Sequence, residues 1–335
     1  MYEGVLSAIG NTPLVKLTRL FDDSPFELYA KLEALNPGGS MKDRPAANII
    51  KHGIETGAIN SDSVVIESSS GNMAIGMAQV CSRLGLRFIC VVDPKTMMQN
   101  IRILEAYGAE IDLVASPDPV SGEYLVARIN RVHELLDSIE HSFWPNQYEN
   151  RLNAEAHHQT MHEIAVSLGD NVDYLFCATS TCGTLRGCSE YIRERGLSTR
   201  VFAVDAVGSI IFGGRSGKRL IPGHGASIVP GLFDAELAYD CIKVTDLDCV
   251  VGCHHLVRRE SILAGGSSGA IISAIASVKD RIPAGAVCVA ILPDRGERYL
   301  DTVYSREWIT SHFGDVTHLW NQNADIRMFE TAVSW

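Results

Sequence analysis

The sequence is short of most features that would set a chain apart from ordinary globular proteins. Its nine cysteines are odd in number and include no C-x-x-C pair, so no disulfide framework is indicated. Reduced thiols in a cytoplasmic protein are expected instead, with Cys81, Cys90, Cys177 and Cys288 in apolar runs reading as small core residues. Positive charge is scarce: 29 Lys and Arg face 40 Asp and Glu, a net charge of −11 without long runs of one sign. That balance argues against a nucleic-acid or anionic-membrane partner, because nothing offsets phosphate repulsion. It also means that an anionic substrate has to be received by a locally positive site. Apolar runs such as Phe88–Val92 have strand length and fall far short of a membrane span. Met1–Gly10 has neither a basic start nor a long apolar core, so no secretory signal is expected. His157, His158 and His162 lack an H-E-x-x-H pattern, and Cys249, Cys253, His254 and His255 read as part of an amphipathic helix. No metal is expected. Internal repeats and low-complexity tracts are absent.

What is present is a regular alternation. Hydrophobic residues make up 46% and charged residues 21% of 335, enough for two core-bearing lobes. Thr12–Leu17 and Phe26–Glu33 read as strands around a Phe21–Pro25 turn. Then Val64–Glu67 leads to a helix at Ala74–Leu84, Phe88–Val92 to Met97–Tyr107, and Ile111–Val114 to Tyr124–Leu136. Gly85 and Gly108 are helix stops. Strands alternating with helices of this length predict parallel βαβ units, hence an α/β class with mostly parallel sheets flanked by helices. After the strand edge at Phe143 and a turn through Tyr148, a helix at Asn153–Leu168 opens a second series. It continues with strand Tyr174–Ala178, helix Leu185–Arg195 and strand Val201–Asp205. A glycine-rich loop, 208–231, follows. Asp246 and Ser268 are expected to begin helices, and Ala286–Leu292 is expected to be a buried strand. Residues 36–150 are taken as a smaller, mobile lobe, and 1–35 with 151–335 as a larger one. The segment after His312 has weak periodicity and reads as a tail or a partner-contacting extension.

Three loops carry the chemistry. Asn36–Ala46 holds two glycines, and Ser40 is a plausible N-cap for the apolar-periodic segment that follows. Lys42 is then expected in the first helical turn, where the helix dipole disfavours an ammonium and lowers its pKa. An amine that sheds its proton readily suits Schiff-base chemistry. A lone Lys-Asp-Arg reads most simply as a surface lysine, but two further loops stand against that. Ser68-Ser69-Ser70-Gly71-Asn72 follows one strand and opens a helix, and Ser180-Thr181-Cys182-Gly183-Thr184 does the same after another. Both lie at strand carboxyl ends, where ligands bind in open α/β sheets.

These loops, with Ala264–Ala270, resemble the cysteine synthase family over about Leu6–Thr310. Members are pyridoxal-phosphate (PLP) enzymes of the tryptophan-synthase β fold, fold type II. The resemblance implies that Lys42 is the Schiff-base lysine and that Ser180, Thr181, Cys182, Gly183 and Thr184 receive the cofactor phosphate. Backbone N–H groups at a helix start suit such a dianion. It implies further that Asn72 bonds the ring hydroxyl and that Ser267 faces the ring nitrogen. Ser69, Ser70, Gly71 and Gln147 would hold the substrate α-carboxylate. The chain departs from the family at Ser180 and Cys182, expected to narrow the pocket, and at Met73. It departs again at Asp294 and Arg295, the latter read as either an ion pair or a substrate contact.

The implied reaction is β-replacement. An amino acid loses its β-substituent, a nucleophile adds at the β-carbon, and Lys42 removes and returns the α-proton. Asn36–Pro45, Asn146–Tyr148, Gly208–Gly213 and Leu292–Gly296 resemble most the branch that makes N-(2-amino-2-carboxyethyl)-L-glutamate, a precursor of 2,3-diaminopropionate for siderophores and some antibiotics. That branch joins O-phospho-L-serine to L-glutamate. Arg128 and Tyr148, with Ser180, are the candidates for the anionic substrate groups. Rival readings are a cysteine synthase using sulfide and a catalytically silent regulatory homologue. The family implies a homodimer.

Overall fold

The computed structural model describes residues 4–321. Strands β1 (Leu14–Leu17) and β2 (Glu27–Leu32) come first, then helix α1 (Asp43–Glu55). The first βα series is β3 (Val64–Ser68), α2 (Asn72–Leu84), β4 (Arg87–Val92), α3 (Met98–Ala106), β5 (Glu110–Leu113), α4 (Tyr124–Ser138) and β6 (Ser142–Phe143). The second begins with α5 (Arg151–Leu168), β7 (Tyr174–Ala178), α6 (Gly183–Glu194), β8 (Arg200–Ala206) and β9 (Asp240–Val244). It ends with α7 (Asp246–His255), α8 (Gly266–Val278), β10 (Val287–Leu292), α9 (Arg306–Phe313) and α10 (His318–Asn321).

Two sheets result. The smaller has the order β5-β4-β3-β6, all parallel; the larger has β1-β2-β10-β7-β8-β9, parallel except for the antiparallel edge strand β1. Period-2 alternation explains why both faces of the larger sheet are covered. Tyr174 and Phe176 of β7 join the core under α7 and α8, while Leu175 and Cys177 join the one under α5 and α6. In the smaller sheet Val65 packs toward α1 and α2, and Ile66 toward Val132 and Leu135 of α4. The cavity lies between the two sheets, at the carboxyl ends of β3, β7 and β10, as winding rules place it.

Several boundaries differ from expectation for local reasons. Thr12 is left out of β1 because its carbonyl and hydroxyl are bound by the buried side chains of Lys31 and Glu33. Asp246 does not cap α7: Thr245 does, in a capping box with Asp248, and the Asp246 carboxylate accepts from Leu220 N and Ile221 N instead. Helix α8 starts before Ser268, at Gly266. The half-buried edge strand β9 escapes sequence reading because its pattern DCIKV is not apolar throughout. Part of the segment after His312 is not a tail, since Trp320 of α10 is buried and stacks on His254 at 4.2 Å between ring centres. Residues 322–335 lie outside the described residues. His254 is thus committed to packing, and among the described residues no group of His, Cys, Asp or Glu is arranged to hold a metal ion. No described helix is long and apolar enough to cross a membrane.

Candidate active site

A cavity of about 310 Å³ is lined by the residues to which the sequence assigned cofactor or substrate roles outright: Lys42, Ser69–Asn72, Arg128, Gln147, Tyr148, Ser180–Thr184 and Ser267. Lys42 precedes α1 as its N-cap residue and is not in the first turn. Ser40 caps nothing in the helix; its hydroxyl accepts from Lys42 N at 3.1 Å. The loop is fixed by Met41 N donating to Pro293 O at 2.8 Å and by a backbone bridge between Ser40 and Asp294. Gly39 turns this corner at φ +85°, a conformation that suits glycine. The Lys42 side chain keeps some surface open to the cavity yet is enclosed by protein, and its Nζ has no ion-pair partner among the described residues. Burial lowers its pKa to about 8, with Cys182 opposing. Desolvation, more than the helix dipole, is the leading cause.

The 180–184 loop leaves β7 and enters α6, a 12-residue helix. Cys182 adopts φ +63°, so successive N–H groups turn to one side as in an anion-binding nest. The thiol is 3% exposed and packs with Ile211, Ala226 and Leu232, which commits most of it to the core and limits the expected narrowing. A Cβ at Gly183 would lie 2.4 Å from Asn153 Oδ1, so the helix start sits tightly on α5. Asn153 Nδ2 donates to Thr181 Oγ1 at 3.2 Å and to Gln147 O at 2.7 Å, tying this loop to the one beyond β6.

At the start of α2, Ser69 Oγ accepts from Gly71 N at 3.4 Å and from Ala74 N at 3.2 Å. Ser70 O accepts from Asn100 Nδ2 at 2.9 Å. Gln147 Nε2 donates to Ser68 O at 3.2 Å, and beneath it the buried Glu67 carboxylate accepts from Ser68 N, Gln147 N and Trp144 Nε1. Burial pushes Glu67 up to about 7. Met73 is 2% exposed and belongs mainly to the small core, touching the cavity at its margin. Ser267 lies in the first turn of α8, at the cavity wall.

The far end is cationic. Arg128 is 8% exposed; its Nε lies 3.3 Å from Asp93 Oδ2, yet Nε and Nη1 have no hydrogen-bond partner. Tyr148 lies near Arg128, Glu67 and Arg219, and burial raises its pKa. Arg219 and Lys95 also line the cavity, and sequence reading passed over both. The one signal for Arg219 was a basic pair, Lys218-Arg219, in a glycine-rich loop. Arg295 is exposed, does not line the cavity and donates its Nε to the backbone carbonyl of Ala34 at 3.0 Å, so neither the ion pair nor the substrate contact is seen. Its neighbour Asp294 is buried at the cavity wall, where it accepts from Asn72 Nδ2 at 2.7 Å.

An enclosed amine without a partner, an N–H nest at a helix start and a hydroxyl at a second helix start are a donor set that fits PLP. The profile of the pyridoxal-phosphate dependent enzymes matches residues 5–294. The chain belongs to that family. Similar solved structures of this PLP family agree in fold. An O-acetylserine dependent cystathionine β-synthase from Helicobacter pylori is 33% identical, with TM-score 0.83, over 91% of this chain and 99% of the other. A hydrogen sulfide-producing enzyme from Fusobacterium nucleatum is also 33% identical, with TM-score 0.83, over 89% and 98%. An O-ureido-L-serine synthase is 29% identical, with TM-score 0.82, over 90% and 94%. The protein is a PLP-dependent β-substituting synthase of the cysteine synthase kind, with a fold type II architecture.

Proposed function

We propose that this PLP enzyme joins O-phospho-L-serine to L-glutamate, forming N-(2-amino-2-carboxyethyl)-L-glutamate and releasing phosphate, on a route to 2,3-diaminopropionate for a siderophore or antibiotic. The observation that carries the proposal is buried Arg128, paired with Asp93 at 3.3 Å but with no hydrogen-bond partner at Nε or Nη1, on a cavity that Arg219 and Lys95 also line. In a chain of net charge −11, three cations on one cavity favour substrates that bring anionic groups of their own.

In this proposal Lys42 holds the cofactor, Ser180–Thr184 its phosphate, Asn72 its ring oxygen and Ser267 its ring nitrogen. The bound cofactor supplies an electron sink that makes the α-proton of an amino acid removable. Ser69, Ser70, Gly71 and Gln147 grip the substrate α-carboxylate at the start of α2, where N–H groups and the helix dipole favour an anion. Lys42 Nζ, released when the substrate amine takes its place on the cofactor and poised near 8 as a free amine, would take the α-proton as the β-phosphate departs. It returns that proton to the α-carbon once the glutamate nitrogen has bonded to the β-carbon. Arg128, Tyr148 and Ser180 steady the distal anionic groups. The protein works as a cytoplasmic homodimer whose residues 36–150 move as one lobe; nine unpaired cysteines support the compartment.

The test offers O-phospho-L-serine first, then L-glutamate or sulfide, and identifies the product by mass. The glutamate adduct is expected. Cysteine from sulfide with no glutamate adduct would replace this proposal with cysteine synthesis.

A further inference from the structure

Asn72 begins α2, yet its amide is held from the far side of the cleft. Nδ2 donates to Asp294 Oδ2 at 2.7 Å, and Oδ1 accepts from Arg298 Nη1. Tyr299 OH donates to the same carboxylate oxygen at 2.5 Å, and Arg298 Nη2 donates to Gly38 O in the loop before Lys42. Asp294 follows β10, is 1% exposed, and is pinned through its backbone by Gly265 N and by the bridge to Ser40. Guanidinium only donates and a carboxylate only accepts, so these partners leave the Asn72 amide a single orientation. With serine at position 294 Arg298 would still mark Oδ1, but Nδ2 would lose its acceptor-only partner, because a hydroxyl both donates and accepts. Nδ2 carries two hydrogens; Asp294 takes one, and Asn72 lies on the cavity wall.

We propose that Asp294 is a positioning residue: it locks the Asn72 amide so that its second Nδ2 hydrogen is presented to the ring oxygen of the bound cofactor. Arg298 and Tyr299 complete the lock, which joins the Lys42 loop, the start of α2 and the end of β10. The inference rests on the assignment of Asn72 to the ring oxygen, and is independent of which donor and nucleophile react.

A double-mutant cycle tests it, using the full chain stripped of cofactor and titrated with PLP by absorbance. The variants are Asn72→Ala, Asp294→Ser and the two combined; the readouts are the dissociation constant and the absorption maximum. Asn72→Ala is expected to weaken PLP binding about tenfold. Asp294→Ser is expected to weaken it severalfold and shift the absorption maximum in the parent, with no further effect beside Asn72→Ala. An equal effect of Asp294→Ser in both backgrounds, or none in the parent, overturns the proposal. No effect of Asn72→Ala overturns it too, by removing the assignment beneath it, while leaving the identity of the product untouched. If Asp294→Ser does not fold, Asp294→Asn keeps the shape without the charge. The same dependence on Asn72 is then expected, and its absence counts against the proposal.

Discussion

Arg44, two residues after Lys42, meets Glu163 of α5 as a bidentate pair, with Nη1 and Nη2 each donating to one carboxylate oxygen at 2.8 Å. The same guanidinium grips Glu33 bidentately at 2.7 Å, and Lys31 Nζ reaches Glu163 at 2.6 Å. All four side chains are buried, so two cations and two carboxylates neutralise one another behind the lysine loop. Glu163→Gln leaves buried charge uncompensated and is expected to destabilise the fold by about 3–5 kcal/mol. The pair also sets an acid limit. Despite burial, Arg44 and Lys31 hold the Glu163 pKa down to about 2, below its unfolded value. Its contribution is therefore present above pH ~4.5 and lost as pH falls toward 2. Urea unfolding between pH 2 and 7 should show this acid slope, flattened in Glu163→Gln.

Lys42 with a pKa near 8 should govern cofactor capture by the apoprotein. The neutral amine is the reactive form, so the capture rate should rise about tenfold per pH unit below 8 and level off above it. Stopped-flow absorbance checks the profile; a plateau reached only near pH 10 would mean an ordinary exposed lysine.

Arg128→Ala should raise KM for the anionic substrate roughly 10- to 100-fold while PLP stays bound, as expected for a lost charged hydrogen bond. Steady-state kinetics with the cofactor spectrum recorded alongside separates this from a collapse of the small core.

Gly265→Ala places a methyl 2.1 Å from Asp294 Oδ1 and 2.7 Å from Tyr299 Cε2. Backbone and carboxylate cannot both yield cheaply, so about 1–3 kcal/mol of stability should be lost. Thermal unfolding of the apoprotein measures it.

The loops of the site were readable because each is local. A strand, a few small residues and a helix start are contiguous in the chain, and the βαβ alternation supplies the frame around them. The partners that orient those loops were not readable. Asn72 and Asp294 are 222 residues apart, and Arg44 and Glu163 are 119 apart, separations at which no periodicity carries information. Arg128 illustrates the limit. Its place on the cavity was expected, but its burial beside Asp93 was not, since an arginine on a helix gives no sign of its depth.

In the proposed reaction Lys42 is the amine that carries the cofactor, in a cavity that contains a second lysine, Lys95. Borohydride reduction of the PLP-loaded protein, followed by peptide mapping, decides between them. The fixed label is expected on the peptide containing Lys42. A label on Lys95, or on any other lysine, would contradict it.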